Sequence, residues 1–238
     1  MSARCRNKGE ERYFMNRKML QTSVRSENLP VIEEVMDFFK HIKEEERDIS
    51  ECCFKNAFLT KLNGNDIDFQ EVIFQNCRFR SCFFDESRFR KVQFINCDFS
   101  DTSFSDAEFK RCGFERCKAM GSDFYGSRFN HVEMENCDFS DSSMNAVRLI
   151  NVMMKEVSMR EVNFGNCGFH NLTLKQVDLS LADFFKTSLK DVDLTTCKLD
   201  GVRFSSGKEE LRGAKLSEEQ ALRIMEDMGI LIIGRNAD

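Results

Sequence analysis

Large apolar residues recur at every fifth position through most of this chain. Between Phe54 and Phe204, the residues whose numbers end in 4 or 9 are Phe, Leu or Met at 29 of 31 positions; Gly64 and Ala119 are the exceptions. Two residues before each stands a second column, confined to Cys, Ala, Val, Ser, Thr, Leu and Ile, and the other three columns are mostly polar or charged. A period of five fits neither the 3.6-residue face of a helix nor the simple alternation of a strand. It does fit a short extended run that turns a small side chain in, a polar one out and a large one in, then bends through two outward residues. Four such units close a square coil of twenty. That interval is visible independently: Cys77, Cys97, Cys117 and Cys137 are spaced by 20, as are Asn56, Asn76 and Asn96, with Asn136 two intervals further on. FINCDFSDTSF (94–104) and MENCDFSDSSM (134–144) are near copies 40 residues apart. Residues 52–206 therefore predict an all-β solenoid of about 7.75 coils, roughly 37 Å long at ~4.8 Å between stacked strands.

The units CDFSD (97–101), SDFYG (122–126), CDFSD (137–141), VDLSL (177–181) and ADFFK (182–186) resemble the A-(D/N)-(L/F)-x-x motif of the pentapeptide-repeat family. The resemblance implies a right-handed quadrilateral β-helix, the hand that parallel crossovers favour in general. The Phe column supplies its core, at roughly 1.5–3 kcal/mol per buried ring. The second column must be small because two bulky inward residues per side do not fit. Nine of the 11 cysteines lie there, in slots shared with Val, Ala and Ser, so size and not metal or redox chemistry governs the choice. Spacings such as Cys77–Cys82 and Cys112–Cys117 follow from the period of five and are not zinc motifs. Gly64, between apolar columns, permits a bulge, and the sequence leaves the local structure there open.

The ends depart from the period. Residues 1–25 carry seven Arg and Lys against two Glu and are expected to form a disordered basic tail. Within 26–51, residues 30–46 predict a capping helix: Pro30 suits a first helical turn, and Val31, Val35, Phe38, Phe39 and Ile42 make one apolar face. A stacked solenoid needs its open coil covered. Glu44, Glu45 and Glu46 oppose the helix dipole and favour fraying. In 207–238, Ser217 is an N-cap with Gln220 at the capping-box position. A helix of about 12 residues follows, Gly229 stops it, and Ile230–Ile233 reads as a short strand. Leu222, Met225, Met228, Ile230, Leu231, Ile232 and Ile233 have no room inside the rod, which predicts a head-to-head homodimer about a two-fold axis. The segment LRGAKLSEEQALRIMEDMGILIIG (211–234) resembles the C-terminus of the Qnr-type quinolone-resistance and microcin-immunity pentapeptide proteins. Those proteins dimerise through it and bind DNA gyrase or topoisomerase IV by imitating duplex DNA in width and charge. The unbroken register resembles the loop-free members.

Charge adds a surface to this picture. The chain of 238 residues has a net charge of −5, too mild to name a partner. Sorted by side of the coil, the column positions of Phe54, Leu59, Gly64 and Phe69 open four faces, here A, B, C and D. Face C is acidic through Asp66, Asp85, Glu86, Asp106 and Asp123, with Asp183 opposed by Lys186 and Arg203. Face D is basic: Arg88, Arg90, Lys91, Lys110, Arg111, Arg128, Arg148 and Lys190 outnumber Asp68, Glu71, Glu108 and Asp191. Face C suits the basic DNA-binding saddle of a type II topoisomerase; face D is the alternative partner surface. Direct nucleic-acid binding is not expected. His41, His131 and His170 form no triad, and no Gly-rich phosphate loop, HExxH or GxSxG is present. A non-enzymatic binding protein without metal or cofactor is expected, with a scaffold protein of the same fold as the alternative. No stretch approaches the ~18 apolar residues of a membrane span, and MSARCRNKGEERYF has no apolar signal core. A cytoplasmic protein with reduced thiols is expected.

Overall fold

A computed structural model describes residues 29–44 and 48–233; the expectations for residues 1–25, Glu45 and Glu46 lie outside them. The described chain winds into a parallel β-solenoid of about seven coils. Phe54 pairs with Phe74 and Phe74 with Phe94 on face A, Leu59 with Phe79 on face B, and Phe69 with Phe89 on face D. Face C is joined by single bridges such as Asn63 to Phe83 and Phe83 to Ser103. The offset of 20 runs from the Ile49–Phe69 pair to the Asp183–Arg203 pair without a slip.

Every fifth residue from Glu51 to Asp191 turns a corner at φ between 49° and 69°. This left-handed region costs an ordinary L-residue roughly 1–2 kcal/mol, less for Asn or Asp, whose short polar side chains bond locally. Hence the recurring asparagines. Asn76 Nδ2 donates to Asn56 Oδ1 at 3.1 Å and Asn96 Nδ2 to Asn76 Oδ1 at 2.8 Å. The same ladder joins Asn171 to Asn151 at 2.7 Å.

Inside, rings stack one coil apart. Centroids are 4.7 Å apart for Phe69–Phe89, 4.9 Å for Phe89–Phe109 and 4.7 Å for Phe109–Phe129. Rings on adjoining faces meet edge to face, as Phe89 and Phe94 do at 5.7 Å, and both geometries suit aromatic quadrupoles. Small-column residues reach back to the preceding coil's carbonyls: Cys112 Sγ donates to Phe89 O at 3.2 Å and Ser122 Oγ to Phe99 O at 2.7 Å. Burial pushes the Cys112 thiol up to about 12, which keeps it a protonated donor at neutral pH. Gly64 makes no bulge. Its amide donates to Phe83 O at 2.7 Å in unbroken register. The Phe84 ring fills the missing side chain's space, 2.6 Å from where a Cβ would stand.

The first coil differs from its sequence reading. Pro30 opens a strand, not a helix: Val31–Ile32 (β1) pairs with Cys53–Phe54 at an offset of 22, and the Cys53 amide donates to Pro30 O at 2.9 Å. The β-branched pair satisfies the edge that Cys53–Lys55 would otherwise leave open. Helix α1 (Val35–Glu44) follows and buries Val35 and Phe39. The Phe39 ring lies 5.5 Å from Phe54 and 6.2 Å from Phe69, so the helix covers the open end of the stack. At the other end, pairing continues past residue 206. Asp193 bridges Lys215, again at an offset of 22, after a 3-10 turn at Glu209–Leu211.

Candidate functional site

Position within the five-residue unit decides what each acidic side chain does. On faces B and C an aspartate directly before the large residue folds onto the amide two residues later, an Asx turn. Asp98 holds Ser100 (3.1 Å), Asp123 holds Tyr125 (2.9 Å), Asp138 holds Ser140 (3.0 Å), Asp178 holds Ser180 (3.0 Å) and Asp183 holds Phe185 (2.9 Å). The near copies at 94–104 and 134–144 reflect this turn. Asp85 accepts from the Ser105 amide at 3.0 Å and from the Ser103 hydroxyl. Of the five acidic residues expected to form a surface on face C, Asp85 and Asp123 are thus engaged in holding the coil.

Asp66, Glu86 and Asp106 are different. They occupy one corner column between faces C and D, exposed and one coil apart, and make no ion pair among the described residues. Like charges on neighbouring strands repel, so this column costs the rod stability. Face C also exposes Phe83 (47%), Tyr125 (52%) and Phe185 (46%). Sequence reasoning missed these three; their signal was an aromatic residue in an outward column.

Face D splits in two. Arg88 and Arg90 pair with Asp68 and Lys91 with Glu71. Lys110, Arg111, Arg128 and Arg148 are exposed and unpaired among the described residues, with Arg128 and Arg148 on adjacent rungs.

The C-terminal end is built around Gln220. Helix α2 (Glu218–Asp227) starts at Ser217, whose hydroxyl accepts from the Gln220 amide while Gln220 Oε1 accepts from the Ser217 amide at 2.8 Å. The other end of the same side chain reaches the rod: Nε2 donates to Leu194 O and Cys197 O, both at 2.8 Å. Ile224 is buried against the last coil. Gly229, at φ 77°, closes the helix, with Gly229 N–H donating to Glu226 O and Ile230 N–H to Met225 O, the pairing of a Schellman end. Leu222 is half-buried, whereas Met225, Met228 and Ile230 to Ile233 are exposed, Leu231 by 88% and Ile233 by 94%. The expected strand at 230–233 is not formed; a strand requires a ladder partner, and the described chain presents none to it.

Among the described residues, no group of three or more His, Cys, Asp and Glu is arranged to hold a metal, and no helix is long and apolar enough to cross a membrane. His41 Nδ1 lies 2.7 Å from Asp37 O and His131 Nδ1 2.7 Å from Asn130 Oδ1.

Among solved structures, QnrB1 shows the same architecture. Full-length QnrB1, a plasmid-mediated fluoroquinolone resistance protein, aligns over 75% of this chain and 100% of its own at 20% identity and a TM-score of 0.50. HetL, involved in heterocyst differentiation regulation in the cyanobacterium Nostoc, aligns over 77% and 95% at 14% identity and a TM-score of 0.36. No curated protein sequence matches the chain. The family model for the pentapeptide repeat region matches residues 47–124 and 127–204, and with the coil geometry above, this chain belongs to the pentapeptide-repeat family.

Proposed function

We propose that this protein is a non-enzymatic binding rod that lays its acidic edge in the DNA-binding saddle of a type II topoisomerase, DNA gyrase or topoisomerase IV. It thereby protects the enzyme from quinolones or from a topoisomerase-directed toxin. The observation that carries this reading is the column of Asp66, Glu86 and Asp106, three exposed carboxylates unpaired among the described residues, on a rod whose offset of 20 holds from Ile49 to Arg203. A destabilising like-charge column makes sense if a cationic surface covers it. The tail's resemblance to Qnr-type C-termini supports the same reading. The exposed Met225, Met228 and Ile230 to Ile233 support a homodimer joined at the C-terminus, and a cytoplasmic location belongs to the same reading.

The test is a supercoiling titration with gyrase, with and without a fluoroquinolone. Rescue at low protein, lost in the triple variant Asp66→Asn, Glu86→Gln, Asp106→Asn, is the expected result. No effect of the wild-type rod on gyrase or topoisomerase IV sinks the proposal. The block of Lys110, Arg111, Arg128 and Arg148 favours a second reading, a scaffold that holds an acidic partner protein. In that case Arg128→Ser with Arg148→Ser abolishes function, and the acidic variants do not.

A further inference from the structure

A groove of about 460 Å³ runs along the edge between faces A and B, within the size range of ligand sites. The asparagine ladder Asn56, Asn76 and Asn96 lines one side. The first outward column of face B lines the other, where Phe58, Arg78, Asp98 and Lys118 succeed one another a coil apart. Each side-chain amide nitrogen carries two hydrogens, and the ladder uses one each from Asn76 and Asn96, so the row keeps donors. Phe58 is 60% exposed and packs on no ring among the described residues. Arg78 and Lys118 are exposed and make no ion pair among the described residues. Asp98, half-buried between them, accepts from the Ser100 amide at 3.1 Å and the Ser100 hydroxyl at 2.7 Å. The column does permit ion pairs, since Lys198 meets Asp178 at 3.6 Å further along the rod. Arg116, paired with Glu115, continues the ladder's corner column and also lines the groove. The lining is thus rich in donors and cations, with Asp98 its one acid.

We infer that this groove holds an extended acidic segment of a partner protein, with carboxylates at every third residue and an apolar residue ahead of the first. Spacing and charge both favour that occupant. Arg78 and Lys118 stand two coils apart, ~9.6 Å at the usual strand spacing. A polyproline II segment rises ~3.1 Å per residue with three residues per turn, so its side chains at i and i+3 point the same way ~9.3 Å apart. Its backbone makes no internal hydrogen bonds, and its carbonyls are acceptors for the asparagine amides. The two cations meet the carboxylates in charge-assisted hydrogen bonds. Phe58, one coil before Arg78, takes the apolar residue, as aromatic-lined grooves do for such segments. Asp98 repels a negative charge placed midway, where a continuous phosphate backbone puts one. Single-stranded nucleic acid also uses successive aromatic platforms, and this groove has one ring. The groove lies on the edge diagonally opposite the column of Asp66, Glu86 and Asp106, so it does not depend on the topoisomerase contact.

The test uses the full chain and a fluorescent peptide with glutamate at every third position, proline between, and one phenylalanine before the first glutamate, read by anisotropy. Arg78→Ser with Lys118→Ser is expected to weaken binding by about tenfold or more, and Phe58→Ser severalfold. Asp98→Asn keeps an acceptor for Ser100. It is expected to tighten binding and to admit a peptide of consecutive glutamates that the wild-type rod binds more weakly than the spaced one. Arg128→Ser with Arg148→Ser, on face D, is expected to leave binding unchanged. All these side chains but Asp98 are exposed, and the melting temperature of the rod is expected to hold in each variant. Failure of the wild-type rod to bind the peptide overturns the inference, as does binding that survives the loss of Arg78 and Lys118. An equal loss in the face D variant, or no preference for the spaced glutamates, reduces the contact to unspecific charge attraction and overturns it too. Tighter binding of a fluorescent oligothymidylate than of the peptide overturns it in favour of a nucleic acid.

Discussion

Replacing Gln220 tests how the C-terminal helix is held. One amide side chain makes three hydrogen bonds: Oε1 accepts from the Ser217 amide, and Nε2 donates to the carbonyls of Leu194 and Cys197. Each bond contributes about 1 kcal/mol net, so Gln220→Ala removes about 3 kcal/mol. Helix α2 has ten residues, fewer than the ~12–15 an isolated helix needs in water; its persistence depends on docking through Gln220 and the buried Ile224. The loss falls on the helix, not on the stacked coils. Hydrogen exchange of the α2 amides is expected to accelerate about 100-fold, at 1.4 kcal/mol per factor of ten, while amides of Phe89, Phe109 and Phe129 keep their protection. Gln220→Glu sharpens the question. Glutamate preserves the capping box but turns a carboxylate onto two carbonyl oxygens. If the rod contact is what matters, Gln220→Glu is at least as disruptive as Gln220→Ala; if local capping is what matters, it is neutral. Unchanged exchange in α2 for both variants refutes the docking argument.

Three further changes have defined signs. The hydroxyls of Thr102 and Ser142 are buried without a hydrogen-bond partner among the described residues, in a column where valine is common, so Thr102→Val is expected to raise stability by about 1 kcal/mol in urea titrations. Leu181 sits at φ 62°, in the left-handed region where a branched side chain is strained. Leu181→Asn is expected to gain about 1 kcal/mol, and a lower melting temperature counts against that account. Glu210 is 5% exposed. Burial raises its pKa, but its own amide, the Ser205 hydroxyl and the amides of Lys186 and Ser205 outweigh that and leave it below the usual carboxylate range. A depressed folded value means that its stabilisation is fully present above the unfolded pKa of about 4.3. It is lost as pH falls through the lower folded value. Acid unfolding followed by circular dichroism is expected to show a shallower loss for Glu210→Gln.

The repeating body was legible because each inward column faces the same environment in every coil. Phe54, Phe74 and Phe94 meet one constraint three times over, and a repeated constraint writes a period. The ends were less legible because they meet theirs once. Pro30 fits the start of a helix and the start of a strand equally well. What decides is the open edge at Cys53–Lys55, which is distant in sequence. The offset of 22 that joins Asp193 to Lys215 has no periodic trace. At 230–233 the apolar run has strand composition, but composition does not supply a ladder partner. Gly64 was read through its backbone freedom, whereas its role is volume, set by the Phe84 ring a coil away.

The charged surface was the least legible part, for a reason the coil geometry supplies. Summing charges by face treats every outward acid alike. The backbone does not: on face C an aspartate before the large residue is within reach of the amide two positions on and spends its carboxylate there, as Asp123 and Asp183 do. Two positions after the large residue, φ is positive and the side chain leaves the corner, where its neighbours are its column mates one coil away and the outward residue just before it, as in the Arg116–Glu115 and Arg160–Glu161 pairs. The corner columns therefore carry the chemistry available to a partner, and each edge of this rod has its own. Asn56, Asn76 and Asn96 line one edge and satisfy one another. Glu71 and Lys91 pair on another, leaving Arg111 beyond them. On the edge between faces C and D, Asp66, Glu86 and Asp106 have neither arrangement and make no ion pair among the described residues, which is why the proposed topoisomerase contact is assigned to that column.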